Sequence, residues 1–279
     1  MATGISRVSG QGSGTSSAYP YAGDSTLFAA FSNNVTSGNL LVMGCVVAGY
    51  SAADYATTSN FTKGAGSATL GTITLDATYA SSDFQLVSIF SAPVTGSGDC
   101  TMQLIQTGSA GYSSVALQEY TGADVSVTRL DGTAVGTGTS LTPATGTVTA
   151  PSQGGAFFGG LAYNTEEEGA VFVNGPGYSN VYTTSDENYV PCSFQDHLTS
   201  SGDTSNASWT ITGIISAVPY SAALAVYKAT AGGTITSTYD TPYIYVGGQW
   251  QTVIGAYRYN GSSWDSAETC QEYISGTWQ

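Results

Sequence analysis

The stretch "NLLVMGCVVAGY", residues 39–50, decides the reading of the fold. Successive side chains of a strand point to opposite faces. Here both alternating sets are apolar, so neither face is left to meet water. That pattern suits a central strand covered on both sides, or one held in a tight sandwich. Working outward, "FQLVSIFSAP" (84–93), "CTMQLIQT" (100–107) and "YSSVALQEY" (112–120) are further strand-like runs. Turn-forming clusters such as "VTGSGD" (94–99) separate them. No window of helical length carries a 3.6-residue apolar period with caps and without glycine breaks. The expected class is all-β.

A second pass through the same pattern follows. "GGAFFGGLAYN" (154–164) matches the strand at 39–50, "SGDTSNASWTITGI" (201–214) echoes "SGDCTMQLIQTGSA" (97–110), and "PYSAALAVYKATAG" (219–232) echoes "GYSSVALQEYTGAD" (111–124). Placing Ala116-Leu117 on Ala223-Leu224 also places Tyr120 on Tyr227. This predicts an internal duplication, with one sandwich unit over 23–123 and a second over 124–232. The two are either separate sandwiches or halves of one. The Gly/Ser/Thr-rich residues 1–22 read as an N-terminal arm, and 229–242 as a linker.

The C-terminal residues 233–279 have a different rhythm. Tyr245, Tyr259 and Tyr273 recur every fourteen residues, as do Trp250, Trp264 and Trp278, with glycines between the members of each Tyr–Trp pair. A tyrosine strand, a glycine-containing turn and a tryptophan strand make a hairpin, so three hairpins are expected, as a meander or as stacked arches. One such repeat is too small to bury its own aromatics and must lean on a neighbour or another chain. These six residues are the candidate binding residues, for docking or for stacking on sugar rings.

Charge narrows the function classes. The chain of 279 residues has 19 acidic and 5 basic residues, a net charge of −14, and only 9% charged residues in all. Five scattered basic residues make no patch for a phosphate backbone, so no nucleic-acid partner is expected. No run of 18 apolar residues exists, and no membrane span is expected. The start has no apolar stretch of signal-peptide type. An exposed setting with such a start fits either a tagged or processed secreted domain or a virus structural protein released by lysis.

Catalytic constellations are sparse. His197, the one histidine, lies near Cys192 in "PCSFQDH", but residues five apart on a regular strand face opposite ways, which speaks against a nucleophilic pair. Glu166, Glu167 and Glu168 form the densest charge and read as a solvated loop, since glycosidase carboxylates need a defined separation across a cleft. Glu119 sits in a strong strand, opposite Val226 in the duplication, and needs a partner if it faces the core. The four cysteines, Cys45, Cys100, Cys192 and Cys270, are far apart and show no zinc-type spacing. Cys45, mid-strand, reads as a buried free thiol. No phosphate-binding loop, nucleophile elbow or dinucleotide fingerprint is present. No catalytic residue, metal site or cofactor is expected.

The strings "TSGNLLVMGCVVA", "SVALQEYTGAD", "LDGTAVGTGTSLTPATGTVTA" and "YSAALAVYKA" together resemble a β-sandwich unit of phage structural proteins and some bacterial surface proteins. The tail strings "YIYVGGQWQ", "YRYNGSSWD" and "EYISGTWQ" are similar to repeats that end many phage tail-associated proteins, without their lysines. The resemblance implies a jelly-roll-like β-sandwich in a non-enzymatic virion surface protein, a tail appendage or capsid decoration. Its partners would be copies of itself and other virion proteins. It would sit on the virion surface and be extracellular after lysis. A lectin-like module binding cell-surface glycan is the alternative expectation, and a secreted glycan hydrolase the weaker one.

Overall fold

The computed structural model describes residues 4–9, 11, 13–17, 25–49, 61–80, 85–106, 110–163, 169–185, 191–199 and 202–230, and six short strands beyond residue 242. No helix occurs among the described residues, so none there is long and apolar enough to cross a membrane. Every strand ladder among the described residues is antiparallel. The chain divides into two compact units, 1–232 and 233–279.

The first half of the larger unit contains β1 (Ser6–Arg7), β2 (Ser13–Ser17), β3 (Ser25–Ala30), β4 (Leu40–Gly49), β5 (Phe61–Ala65), β6 (Thr69–Leu70), β7 (Thr74–Ala80), β8 (Gln85–Gly96), β9 (Thr101–Gln106) and β10 (Ala110–Thr121). The second half contains β11 (Leu130–Thr139), β12 (Val148–Thr149), β13 (Gly155–Tyr163), β14 (Val171–Asn174), β15 (Ser179–Thr184), β16 (Cys192–Thr199), β17 (Thr204–Ser205), β18 (Trp209–Thr212) and β19 (Pro219–Lys228).

The two halves follow one plan. In the first, the central order is β10-β4-β8, with β1 and β2 on the β10 side and β6 and β7 on the β8 side. In the second, the order is β11-β19-β13-β16-β15. Thus β4 and β13 are the central strands, β10 and β19 their neighbours on one side, and β8 and β16 on the other. Each half adds a smaller outer layer: the sheet β3-β9-β5 in the first, the pairs β12-β17 and β14-β18 in the second.

Three cores lie between these layers. Leu41, Met43, Cys45 and Val47 of β4 pack with Leu27, Phe61, Met102 and Leu104 of the outer sheet, and Phe61 stacks on Phe90 at 4.9 Å. The alternate residues Leu40, Val42 and Val46 pack with Phe158, Phe194, Ala223 and Tyr227 of the second half. On the far side of the second sheet, Phe157, Leu161 and Leu224 pack with Trp209 and Ile211. The double apolar face of residues 39–50 therefore has a plain cause: β4 is covered by one sheet on each side. The halves share the middle core and form one unit.

Two glycines make room for a ring in the shared core. A Cβ on Gly44 would lie 2.2 Å from Cε1 of Phe194, and one on Gly160 would lie 2.8 Å from the same atom. The ring of Phe194 fills the space that these two glycines leave open in the facing central strands.

The start of the chain corrects one expectation. Residues 1–22 were expected as an arm, but β1 and β2 pair with β10, at Arg7↔Tyr120 and across Val115↔Thr15, and Ile5 is buried in the shared core. They occupy the edge position that β11 holds beside β19.

The described residues of the smaller unit form three antiparallel strand pairs: β20 (Tyr243–Val246) with β21 (Gln249–Thr252), β22 (Tyr257–Tyr259) with β23 (Trp264–Ser266), and β24 (Tyr273–Ile274) with β25 (Thr277–Trp278). Each is its own two-stranded sheet, and no ladder joins one to the next among the described residues.

Candidate functional site

The six candidate binding residues occur as three register pairs. Tyr245 stands opposite Trp250, Tyr259 opposite Trp264, and Tyr273 opposite Trp278. Directly opposed residues are the closest cross-strand neighbours a ladder offers. The fourteen-residue interval is thus a repeat of one strand pair with one register, tyrosine opposite tryptophan each time.

The Cys192–His197 pair is not assembled. Cys192 is buried in the shared core. His197, on the same strand, faces the other way, 5.8 Å from the Phe157 ring and 5.4 Å from the Tyr178 ring. Its Nδ1 lies 2.8 Å from the carbonyl oxygen of Gly177. Cys45, Cys100 and Cys192 are free and buried. Burial pushes the thiols of Cys45 and Cys192 up to about 12 and that of Cys100 to about 11, so none supplies thiolate near neutral pH. Glu166, Glu167 and Glu168 lie outside the described residues, as does the side chain of Cys270. No cluster of three His, Cys, Asp or Glu able to hold a metal occurs among the described residues.

Glu119 faces the outer core of the first half and is fully buried. Its Oε1 accepts from the Thr36 amide at 2.8 Å and from Asn39 Nδ2 at 2.7 Å, and its Oε2 accepts from Gln11 Nε2 at 2.8 Å. Gln11 also holds the backbone carbonyls of Asn33 and Asn34. The carboxylate therefore ties the N-terminal segment, the loop after β3 and the start of β4 to β10. Its donors are amides, and it is a structural anchor.

A second set of polar residues crosses the shared core, and sequence reading did not single it out. The guanidinium of Arg7 grips the carboxylate of Asp196 with two contacts of 2.6 Å, from Nε and Nη2. The hydroxyl of Tyr120 donates to the same carboxylate at 2.7 Å. Burial alone would lower the basicity of Arg7, but the hydrogen bond and charge of Asp196 outweigh it and raise it. The counterpart in the other direction is Tyr227, whose hydroxyl donates to Asp76 at 2.8 Å. Here the arginine acts through a relay: Arg129 Nη2 donates to Thr74 Oγ1 at 2.5 Å, and Thr74 donates to Asp76 at 2.9 Å. The alignment of Tyr120 with Tyr227 marked the two tyrosines but not their partners, which lie far away in the chain.

The larger unit thus joins its halves with tyrosine–aspartate contacts, and in the repeat unit each tyrosine position stands in register with a tryptophan position. The chain matches no family model, no curated protein and no solved structure.

Proposed function

We propose that the protein is a non-enzymatic surface component of a virus particle, a tail appendage or capsid decoration with a jelly-roll-like body, that assembles with copies of itself and other virion proteins. The observation that carries this reading is the threefold register Tyr245↔Trp250, Tyr259↔Trp264 and Tyr273↔Trp278 in a unit separate from the body. Hairpins of this size are marginal alone and gain stability by packing on something larger. Aromatic residues dominate the energetics of interface centres. Few basic residues leave few sites for trypsin-like proteases, which suits an exposed setting. Attachment to a host-cell surface is the role such a position would serve.

The test is removal of residues 241–279. The shortened chain is expected to melt cooperatively but to lose the self-association of the full chain in light scattering. It should also fail to co-purify with particles, and immunogold labelling of the full chain should mark the particle surface. A shortened chain that assembles and incorporates as before would overturn the docking role. Loss of its cooperative melt would place the hairpins in the stability of the body instead.

A further inference from the structure

The outer sheet of the first half carries a feature that the assembly reading does not use. Phe28 of β3 is 55% exposed. In register beside it are Gln103 of β9 and then Thr62 of β5. Residues beneath this row, Leu27, Phe61 and Met102, fill the core, so Phe28 is turned away from it.

The ring does not stand upright in water. A Cβ on Gly64 of β5 would lie 3.2 Å from Cε1 of Phe28, although β9 runs between β3 and β5. Strands are about 4.8 Å apart, so a ring that reaches that position lies across β9, one face on the sheet and the other open. The conformation of Gly64 is open to any residue, and what its lack of a side chain provides is room for the ring. The ring is flanked by Gln103, whose Nε2 donates to Thr62 Oγ1 at 2.9 Å. Thr26 and Thr101 face outward in the neighbouring rows.

We infer that this row is a binding site for a neutral oligosaccharide, with the apolar C–H face of a pyranose on Phe28 and its hydroxyls on Gln103 and Thr62. A flat apolar surface bordered by an amide and hydroxyls matches the two kinds of surface of a sugar ring. The row has no charged side chain, and the net charge of −14 repels polyanions, so the ligand class is neutral. The second half has no such ring at the corresponding place. There β14 turns Val171 and Val173 outward, opposite Thr212 and Thr210.

The experiment titrates the full chain with cellohexaose, maltohexaose and mannohexaose and follows binding by calorimetry and by shifts of aromatic-ring NMR signals. At least one of the three is expected to bind. Phe28→Ala should weaken that binding about tenfold or more and Gln103→Ala about threefold, both with the cooperative melt kept, because Phe28 is exposed and the half-buried Gln103 lies on the outward face, outside the core. Gly64→Ala should also weaken it, by lifting the ring, and Val173→Ala should leave it unchanged. Binding by none of the three, or equal binding by Phe28→Ala, overturns the inference. So does a change of oligomeric state in Phe28→Ala without any sugar binding, since the face would then cover a second copy of the chain. These outcomes read sugar binding alone and leave the test of the C-terminal hairpins independent.

Discussion

Tyr120 donates a hydrogen bond of 2.7 Å to Asp196, from the sheet of one half to the sheet of the other. The equivalent tyrosine 107 residues later, Tyr227, returns one of 2.8 Å to Asp76. Two packed sheets can slide on an apolar interface, because apolar contact is non-directional. Crossing hydrogen bonds to buried carboxylates define one alignment.

Tyr120→Phe should therefore destabilise the larger unit by about 1.5–3 kcal/mol, the range for a hydrogen bond to a charged group. Tyr227→Phe should fall in the same range. Denaturant unfolding monitored by tryptophan fluorescence measures both, and values below about 0.5 kcal/mol would show that the hydroxyls do not hold the sheets in place.

Glu119→Val installs the residue that the second half has at the corresponding position, Val226. It should cost about 2–3 kcal/mol, because buried Asn39 loses its acceptor, the part-buried Thr36 amide loses its own, and Gln11 keeps only the Asn33 and Asn34 carbonyls. Glu119→Gln keeps the shape and one acceptor oxygen but points an amide at donors, and should cost less than the valine variant. The reverse order in chemical denaturation would contradict the anchoring role.

Gly44→Ala should cost about 1–3 kcal/mol, since its methyl group meets the Phe194 ring in a filled core. Phe194→Leu in the same chain should relieve part of that cost. A double-mutant cycle reads the coupling, and a coupling near zero would mean that the ring does not depend on this glycine.

The alkaline limit of stability follows from the buried acids. Burial, and then Asp196 and Asp76, raise the Tyr120 and Tyr227 hydroxyls well above their ordinary value. Burial raises Cys45 and Cys192 from 9.0 to about 12. The unfolded chain releases these protons first, so above about pH 9 it binds fewer protons than the folded chain and stability falls as pH rises. Their contribution is fully present below pH 9 and is lost towards pH 12. Melting temperatures across that window, with tyrosinate absorbance rising together with unfolding, are the check. A melting temperature that stays level to pH 12 would contradict it.

The sequence by itself determined the all-β class, the double apolar face of residues 39–50, the equivalence of Tyr120 and Tyr227, and the hairpins at Tyr245–Trp250, Tyr259–Trp264 and Tyr273–Trp278. These are local matters: strand periodicity, turn residues and repeat spacing are written in consecutive positions. What only the tertiary structure decided was which face met which sheet. Glu119 lies in a strand apolar on both sides, so periodicity gave no sign that it faces the outer core. Arg7 and Asp196 are 189 residues apart, and Arg7 stood in a glycine- and serine-rich segment whose composition reads as an arm. Its place came from the open edge of β10, where unpaired backbone groups accept a strand of almost any sequence. Sheet edges and inter-sheet packing depend on partners distant in the chain, and for that reason the polar contacts through the shared core became visible only in three dimensions.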